Sequence, residues 1–265
     1  MEFTLSLIGT DGIRKTVTAT ENAYLTLYKE YYNPGDYIEL TGNLANQYFV
    51  VQIDATFKPA LVYMTANSWI YPIPFEENIR LAMHPHAFQG DKHYISVRRA
   101  TDSEIQSYQN LALNTHDQKL NTGMFPHSHA NVETRDEAIF YARNAIDGIF
   151  ANDYHGKYPY QSWGINRQSD AAFTLDFGRP VEIDLLKITL RADFPHDSYW
   201  TQATVSFDDG SQEILSFAKS ANAQSFPITK RTVQQLIFHQ LRKNDDDSPF
   251  PALTQIEVFG YNVNK

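Results

Sequence analysis

The 265 residues carry 31 acidic against 22 basic side chains, a formal net charge of −9, and hold no cysteine. No cluster of Lys and Arg is present to neutralise phosphates, so nucleic acid is excluded as a partner. The acidity and the lack of an apolar run of about 18 residues speak against a membrane, and the missing cysteines exclude disulfides and thiolate metal sites.

The chain starts Met1-Glu2-Phe3-Thr4-Leu5-Ser6-Leu7, alternating around an early acid where a secretory signal would show basic residues and then a continuous apolar stretch. The expected location is the cytoplasm, although a chain already relieved of its signal would read the same way. Residues 37–40, 48–53, 60–64, 69–71 and 94–97 are short apolar or alternating runs, each predicted as a strand. Asn33-Pro34-Gly35-Asp36 marks a turn, and Pro72 and Pro74 take the chain out of its ladder. So many strands before about residue 99 predict a β-sandwich. Trp69, Tyr71, His84, His86 and Phe88 gather around Pro72, Pro74 and Pro85 and are read as an interface between domains, or else as a seat for a partner.

Thr101-Asp102-Ser103-Glu104 is a capping pattern, and Ile105, Tyr108, Leu111 and Ala112 follow at three- and four-residue spacing, which predicts a helical connector. The polar stretch 114–131 places a boundary near 115, giving domains of 1–115 and 116–265. Residues 133–146 are predicted as one helix that buries Ala138, Phe140, Tyr141, Ala142, Ala145 and Ile146 and ends at Gly148. Strands are predicted at 172–177, 181–190, 204–207, 212–217, 233–238 and 256–259, with Gly178-Arg179-Pro180 and Asp208-Asp209-Gly210-Ser211 as tight turns. The fold class is therefore all-β: two β-sandwich domains joined by a short helical connector, the second a jelly roll.

Residues 132–265 also resemble a known superfamily. The resemblance rests on Ala142-Arg143-Asn144-Ala145-Ile146-Asp147-Gly148, Trp163, the stretch 173–184, Thr204-Val205-Ser206-Phe207-Asp208-Asp209-Gly210 and Gln255-Ile256-Glu257-Val258-Phe259-Gly260. These segments, in this order, resemble the coagulation factor type C, discoidin and family 32 carbohydrate-binding module superfamily, the galactose-binding domain-like jelly roll. The stretch 191–200 is not general to that superfamily and looks like the mark of a bacterial subgroup. The first half carries no such resemblance.

The resemblance implies a structural calcium ion held in the loop after Gly148, with Asp147, Asn152 and Glu257 at the matching positions and carbonyls near Asn144 and Asp147. The alternative is that Asp147 caps the loop and Glu257 makes a buried hydrogen bond without metal. It also implies a sugar cleft between loops at one end of the jelly roll. His155, Tyr158, Tyr160 and Trp163 lie in one loop-rich segment, and Arg191, Asp193, His196, Asp197, Tyr199 and Trp200 in another. The expected ligand set is His155, Trp163, Arg191, Asp193, His196, Tyr199 and Trp200, with the Arg191 fork suited to a carboxylate or adjacent hydroxyls. Against this, both tryptophans can be core, with Arg191 paired to Asp193 or Asp197.

Enzyme chemistry has a thinner basis. His127 and His129 are two apart, so on a strand both side chains share a face, and His155 or His196 would supply a third metal ligand or work with Asp193 or Asp197 as acid and base. The segment around His127 reads as a loop, and no phosphate-binding Gly-rich loop, nucleophile elbow or His-Glu-x-x-His motif is present. The function expected is non-catalytic binding of a carbohydrate, with a glycosidase or lyase using the same cleft, or a protein-interaction module, as alternatives. Assembly into a homo-oligomer is left open.

Overall fold

Alternation of apolar and polar side chains builds the first sandwich. The computed structural model describes residues 2–192 and 198–263. Its first strands are β1 (Phe3–Gly9), β2 (Gly12–Ala19), β3 (Asn22–Tyr28), β4 (Tyr37–Gly42), β5 (Gln47–Gln52), β6 (Ala60–Met64), β7 (Ser68–Pro72) and, after the single turn α1 (Glu77–Arg80), β8 (Lys92–Arg99). They pair antiparallel in two sheets, β2-β1-β4-β7 and β6-β5-β8-β3. In β3, Ala23, Leu25 and Leu27 face inward while the residues between them face solvent, the two-residue period of a half-buried strand. Phe3 of one sheet meets Phe49 of the other edge-on, with ring centroids 5.3 Å apart. The Asn33-Pro34-Gly35-Asp36 turn forms as predicted. The Asp36 amide donates to the Asn33 carbonyl at 3.0 Å, the Asp36 carboxylate accepts from the Asn33 amide at 2.8 Å, and Gly35 holds a φ of 90°. Trp69, Tyr71 and Phe88, read from the sequence as interface or partner seat, all belong to this core, and the Tyr71 hydroxyl also bonds Arg143 of the second half. Of that group His84 also reaches the second half of the chain, against Tyr158 at 5.3 Å.

The helix α2 (Asp102–Gln106) opens with the expected capping box between Thr101 and Glu104 but ends far short of Ala112. The remaining strands are β9 (Gln109–Asn110), β10 (Met124–Phe125), β11 (His127–Ala130), β12 (Trp163–Gly164), β13 (Phe173–Arg191), β14 (Trp200–Phe207), β15 (Gln212–Ser216), β16 (Gln224–Lys243) and β17 (Ala252–Asn262). Beyond α2 the chain is extended because β9 pairs with β17, Tyr108 lies against Phe259 and Tyr261, and Leu111 and Ala112 enter the second core. β10 then returns to pair with β6 of the first sandwich, and β11 crosses back to pair with β13.

The helix predicted over 133–146 is three 3₁₀ turns, Thr134–Asp136, Ala138–Phe140 and Ala142–Ile146. Arg135 and Asp136 adopt φ of 52° and 54°, which no α-helix accommodates, and the Glu133 carboxylate accepts from the Ala142 amide at 2.7 Å, folding the segment back on itself. The apolar residues assigned to a helix face are all buried, by turns rather than by a helix.

The second sheet runs β12-β17-β13-β16-β14-β15, with β11 on β13 and β9 on β17. The turn predicted at Gly178-Arg179-Pro180 is instead an irregularity inside the 19-residue β13, where its register with β16 shifts between Asp176 and Val181. Gly178 has φ 66° and lies so near Phe125 that a Cβ would come within 2.4 Å of the ring. The Asp208-Asp209-Gly210-Ser211 turn joins β14 to β15 as expected. The all-β class with two sandwiches is thus the observed one. Among the described residues no helix is long and apolar enough to cross a membrane.

His116 sits buried where the two sandwiches meet. Its Nε2 accepts from the Ile53 amide at 3.3 Å and its Nδ1 pairs with the Thr115 hydroxyl at 2.9 Å. Burial pushes its pKa down to about 3, from 6.5, so the folded ring stays neutral while an unfolded one takes up a proton. Its contribution is therefore complete above about pH 6.5 and is lost as the pH falls towards 3. Urea unfolding should show about 2 kcal/mol of stability lost from this group between pH 7 and pH 5, and His116→Gln should flatten that stretch; parallel pH profiles for the two proteins would refute the assignment.

Candidate functional site

At one end of the second sandwich, β12, the end of β13 and the start of β17 enclose a cleft of about 130 Å³. Its floor depends on a missing side chain, since a Cβ on Gly164 would lie 2.7 Å from Thr134 Oγ1 and 3.1 Å from the Phe140 ring. Thr134 Oγ1 accepts from the Asn166 amide at 2.9 Å and so ties the loop after β12 to the first 3₁₀ turn. Arg191, the last residue of β13, is 3% exposed and donates from Nη1 to Ser162 Oγ at 3.1 Å. His155, half-buried, stacks on Tyr154 at 5.3 Å, and Tyr154 stands edge-on to Tyr160 at 5.6 Å. Phe250 also lines the cleft, with the Arg167 guanidinium 4.6 Å from its ring centroid.

His155 and Arg191, expected from the sequence as ligand residues, do line one cleft. Trp163 and Trp200 do not, and the expectation that they stack on a ligand is corrected: they are 0% and 1% exposed. Their rings lie 6.1 Å apart, against Phe173 and Phe238 respectively, and the Trp163 indole N–H donates to the Val132 carbonyl at 2.9 Å. An indole is the largest apolar group available to fill the interior, and the one polar atom of Trp163 is satisfied there. Tyr199 packs partly against the same core, its amide held by Asn244 Oδ1 at 3.0 Å. Asp193 and His196 lie outside the described residues. The sequence reading missed Thr134, Asn166 and Phe250. For Phe250 a signal existed, an aromatic residue between Pro249 and Pro251. The other two reach the cleft only through folding.

Of the four positions expected to hold calcium, Asn144 and Asp147 come together, but around a glutamine. Gln255 Nε2 donates to the Asn144 carbonyl at 2.7 Å and to Asp147 Oδ1 at 2.8 Å, while Gln161 Nε2 donates to Asp147 Oδ2 at 3.0 Å. Asn152 turns its amide to the Ala221 carbonyl, and Glu257 stands across from Lys187 on β13. Burial pushes the Asp147 carboxyl up to about 7, against the donors of Gln161, Ile149 and Gln255 that favour its charge. Two side-chain amides occupy the directions from which a cation would draw on these oxygens. Among the described residues no three His, Asp or Glu side chains group as a metal-binding set. The residues fit an amide-clamped loop rather than an oxygen cage for Ca²⁺.

His127 and His129 lie on a strand, not in a loop, and their rings stack at 5.8 Å. Asp117 Oδ1 pairs with His127 Nδ1 at 2.8 Å, and Asp117 Oδ2 accepts from both the amide and the hydroxyl of Ser128 at 2.9 Å. Burial alone would depress the His127 pKa, but the Asp117 carboxylate carries it above the ordinary histidine value. Because the Ser128 hydroxyl donates to the aspartate and not to the imidazole, and both side chains are buried, this trio is a tie and not an activated nucleophile.

No family model matches the chain, and no curated protein matches it. Among solved structures it is similar to a fucose-binding module of Streptococcus pneumoniae, at 15% identity over 58% of this chain and 98% of that one, with a TM-score of 0.42. It is similar also to the family 32 carbohydrate-binding module of C. perfringens NanJ in complex with galactose, at 13% over 50% and 91% of the two chains, TM-score 0.38. A third is chitosan-binding module 1 from a chitosanase/glucanase of Paenibacillus sp. IK-5, at 18% over 57% and 98%, TM-score 0.38.

Placing both indoles in the interior has a measurable consequence. Trp200→Ala should cost about 3–5 kcal/mol of stability in chemical denaturation. A cost below about 1 kcal/mol would put that ring outside the core.

Proposed function

We propose that the protein binds a carbohydrate, without turning it over, in the cleft that holds Arg191 and His155. The observation that carries this reading is a guanidinium, 3% exposed, that lines a cavity together with the aromatic rings of Phe140 and Phe250. Such a planar fork holds a pair of adjacent hydroxyls or a carboxylate, and an aromatic face accepts the apolar side of a sugar ring. His155 adds a group that both donates and accepts, and the exposed ring of Tyr154 extends the aromatic surface beside it. The cleft is far below the about 300–1,000 Å³ that larger organic ligands fill, which favours one terminal sugar unit over a polysaccharide chain. Glycoside hydrolysis uses a pair of carboxylates flanking the bond, and among the described residues lining the cleft there is no Asp or Glu.

Calorimetry against the glycans selected on an array tests this directly. Phe250→Ala and Arg191→Gln should each weaken binding by about tenfold or more, with Phe250→Ala leaving the melting temperature nearly unchanged. Full affinity in both variants would remove the cleft from the binding site, and time-dependent consumption of a bound glycan would replace binding with catalysis.

A further inference from the structure

A second cavity of about 130 Å³, lined by a different set of residues, lies between the two sandwiches, and both contribute its wall. Lys58, Met83 and His84 come from the first, and Arg143, Tyr158 and Gln161 from the second. Two of its polar groups are short of partners among the described residues. Gln161, 1% exposed, gives its amide to Asp147, yet its buried Oε1 accepts no hydrogen bond. The Arg143 Nε–H is buried without an acceptor, and the guanidinium is otherwise engaged by the Asp117 carbonyl at 3.5 Å and by the Tyr71 hydroxyl. Native interiors pair nearly all such groups, so an orphaned donor and an orphaned acceptor on one cavity wall call for an occupant that supplies both complements.

The wall also specifies what that occupant is. Arg143 brings a cationic fork matched to a planar anion, and Lys58, exposed at the mouth and held only at 3.5 Å by the Gly148 carbonyl among the described residues, brings a second positive charge. Neither acidic residue of the wall is hydrogen-bonded to Arg143 through its carboxylate, although the guanidinium is near enough to Asp147 to favour its charged form. Asp117 is committed on both oxygens to His127 and Ser128, and Asp147 to Ile149, Gln161 and Gln255. The Gln161 oxygen asks for a hydroxyl, and the Phe57 and Met83 side chains for a short carbon segment.

We propose that the seam cavity is a binding site for a small hydroxylated carboxylate, its carboxylate on Arg143 and Lys58 and its hydroxyl on Gln161. The bound molecule touches both sandwiches, so it stabilises their joint arrangement.

Thermal unfolding and calorimetry of the full chain test this with lactate and glycerate as probes, and with glycerol and inorganic phosphate as the uncharged and carbon-free comparisons. Lactate or glycerate should raise the melting temperature with concentration while glycerol and phosphate do not. Arg143→Lys, which keeps the charge and loses the fork, should weaken the carboxylate by about tenfold or more. Lys58→Ala, at an exposed position, should weaken it severalfold without lowering the melting temperature of the free protein, and it decides the matter if Arg143→Lys does not fold. Arg191→Gln should leave carboxylate binding intact, which separates this site from the carbohydrate cleft. No shift with either carboxylate, an equal shift with glycerol or phosphate, or a carboxylate shift unaltered by the charge variants would overturn the proposal.

Discussion

The buried guanidinium of Arg179 is the joint on which the molecule turns. It stands over the rings of Tyr48 and Tyr63 of the first sandwich at 5.2 and 5.4 Å, while its Nε donates to Asn262 Oδ1 and its Nη1 to the Phe177 carbonyl in the second. A desolvated cation without these acceptors would be costly, so the contact works in one arrangement of the two sandwiches. The chain reinforces that arrangement by pairing in turn with the second sheet at β9, the first at β10 and the second again at β11. The seam cavity and the buried His116 exist because this crossing holds the two cores in register.

Inside the second sandwich, indole volume and cleft chemistry are separated. Trp163 and Trp200 fill the interior behind the cleft, and Arg191, at the end of β13, lines the cleft itself. Under the proposed function the aromatic surface for a ligand falls to Phe140 and Phe250, which line the cleft, and to the exposed ring of Tyr154 beside His155. Interior packing and ligand stacking both want flat rings, and the strand positions of Trp163 and Trp200 settle the competition in favour of packing.

The turn at Gly148 is clamped by side-chain amides. A glutamine amide bridges the Asn144 carbonyl and the Asp147 carboxyl, supplying donors where a divalent cation would supply charge. Gln255 stands two residues before Glu257, so both lie on one side of β17, but only Gln255 reaches the loop. No reading of composition or spacing distinguishes which of the two does so, because that depends on where β17 docks along the 3₁₀ turn ending at Ile146.

What the sequence by itself determined is the strands β4 to β8 and the cores of β13 to β17, the two sandwiches, the Thr101 capping box and the turns at Gly35 and Gly210, because each follows from local periodicity or from a backbone angle that one residue type favours. It also identified the residues that 133–146 bury, and it brought forward His155 and Arg191. Only the tertiary structure decided that this burial uses 3₁₀ turns, that Gly178-Arg179-Pro180 lies within one continuous strand, that Trp163 and Trp200 face inward, and that Thr134, Asn166 and Phe250 share a cleft. Each of these depends on contacts between residues distant in the chain, and the free energy of such contacts overrides local preference.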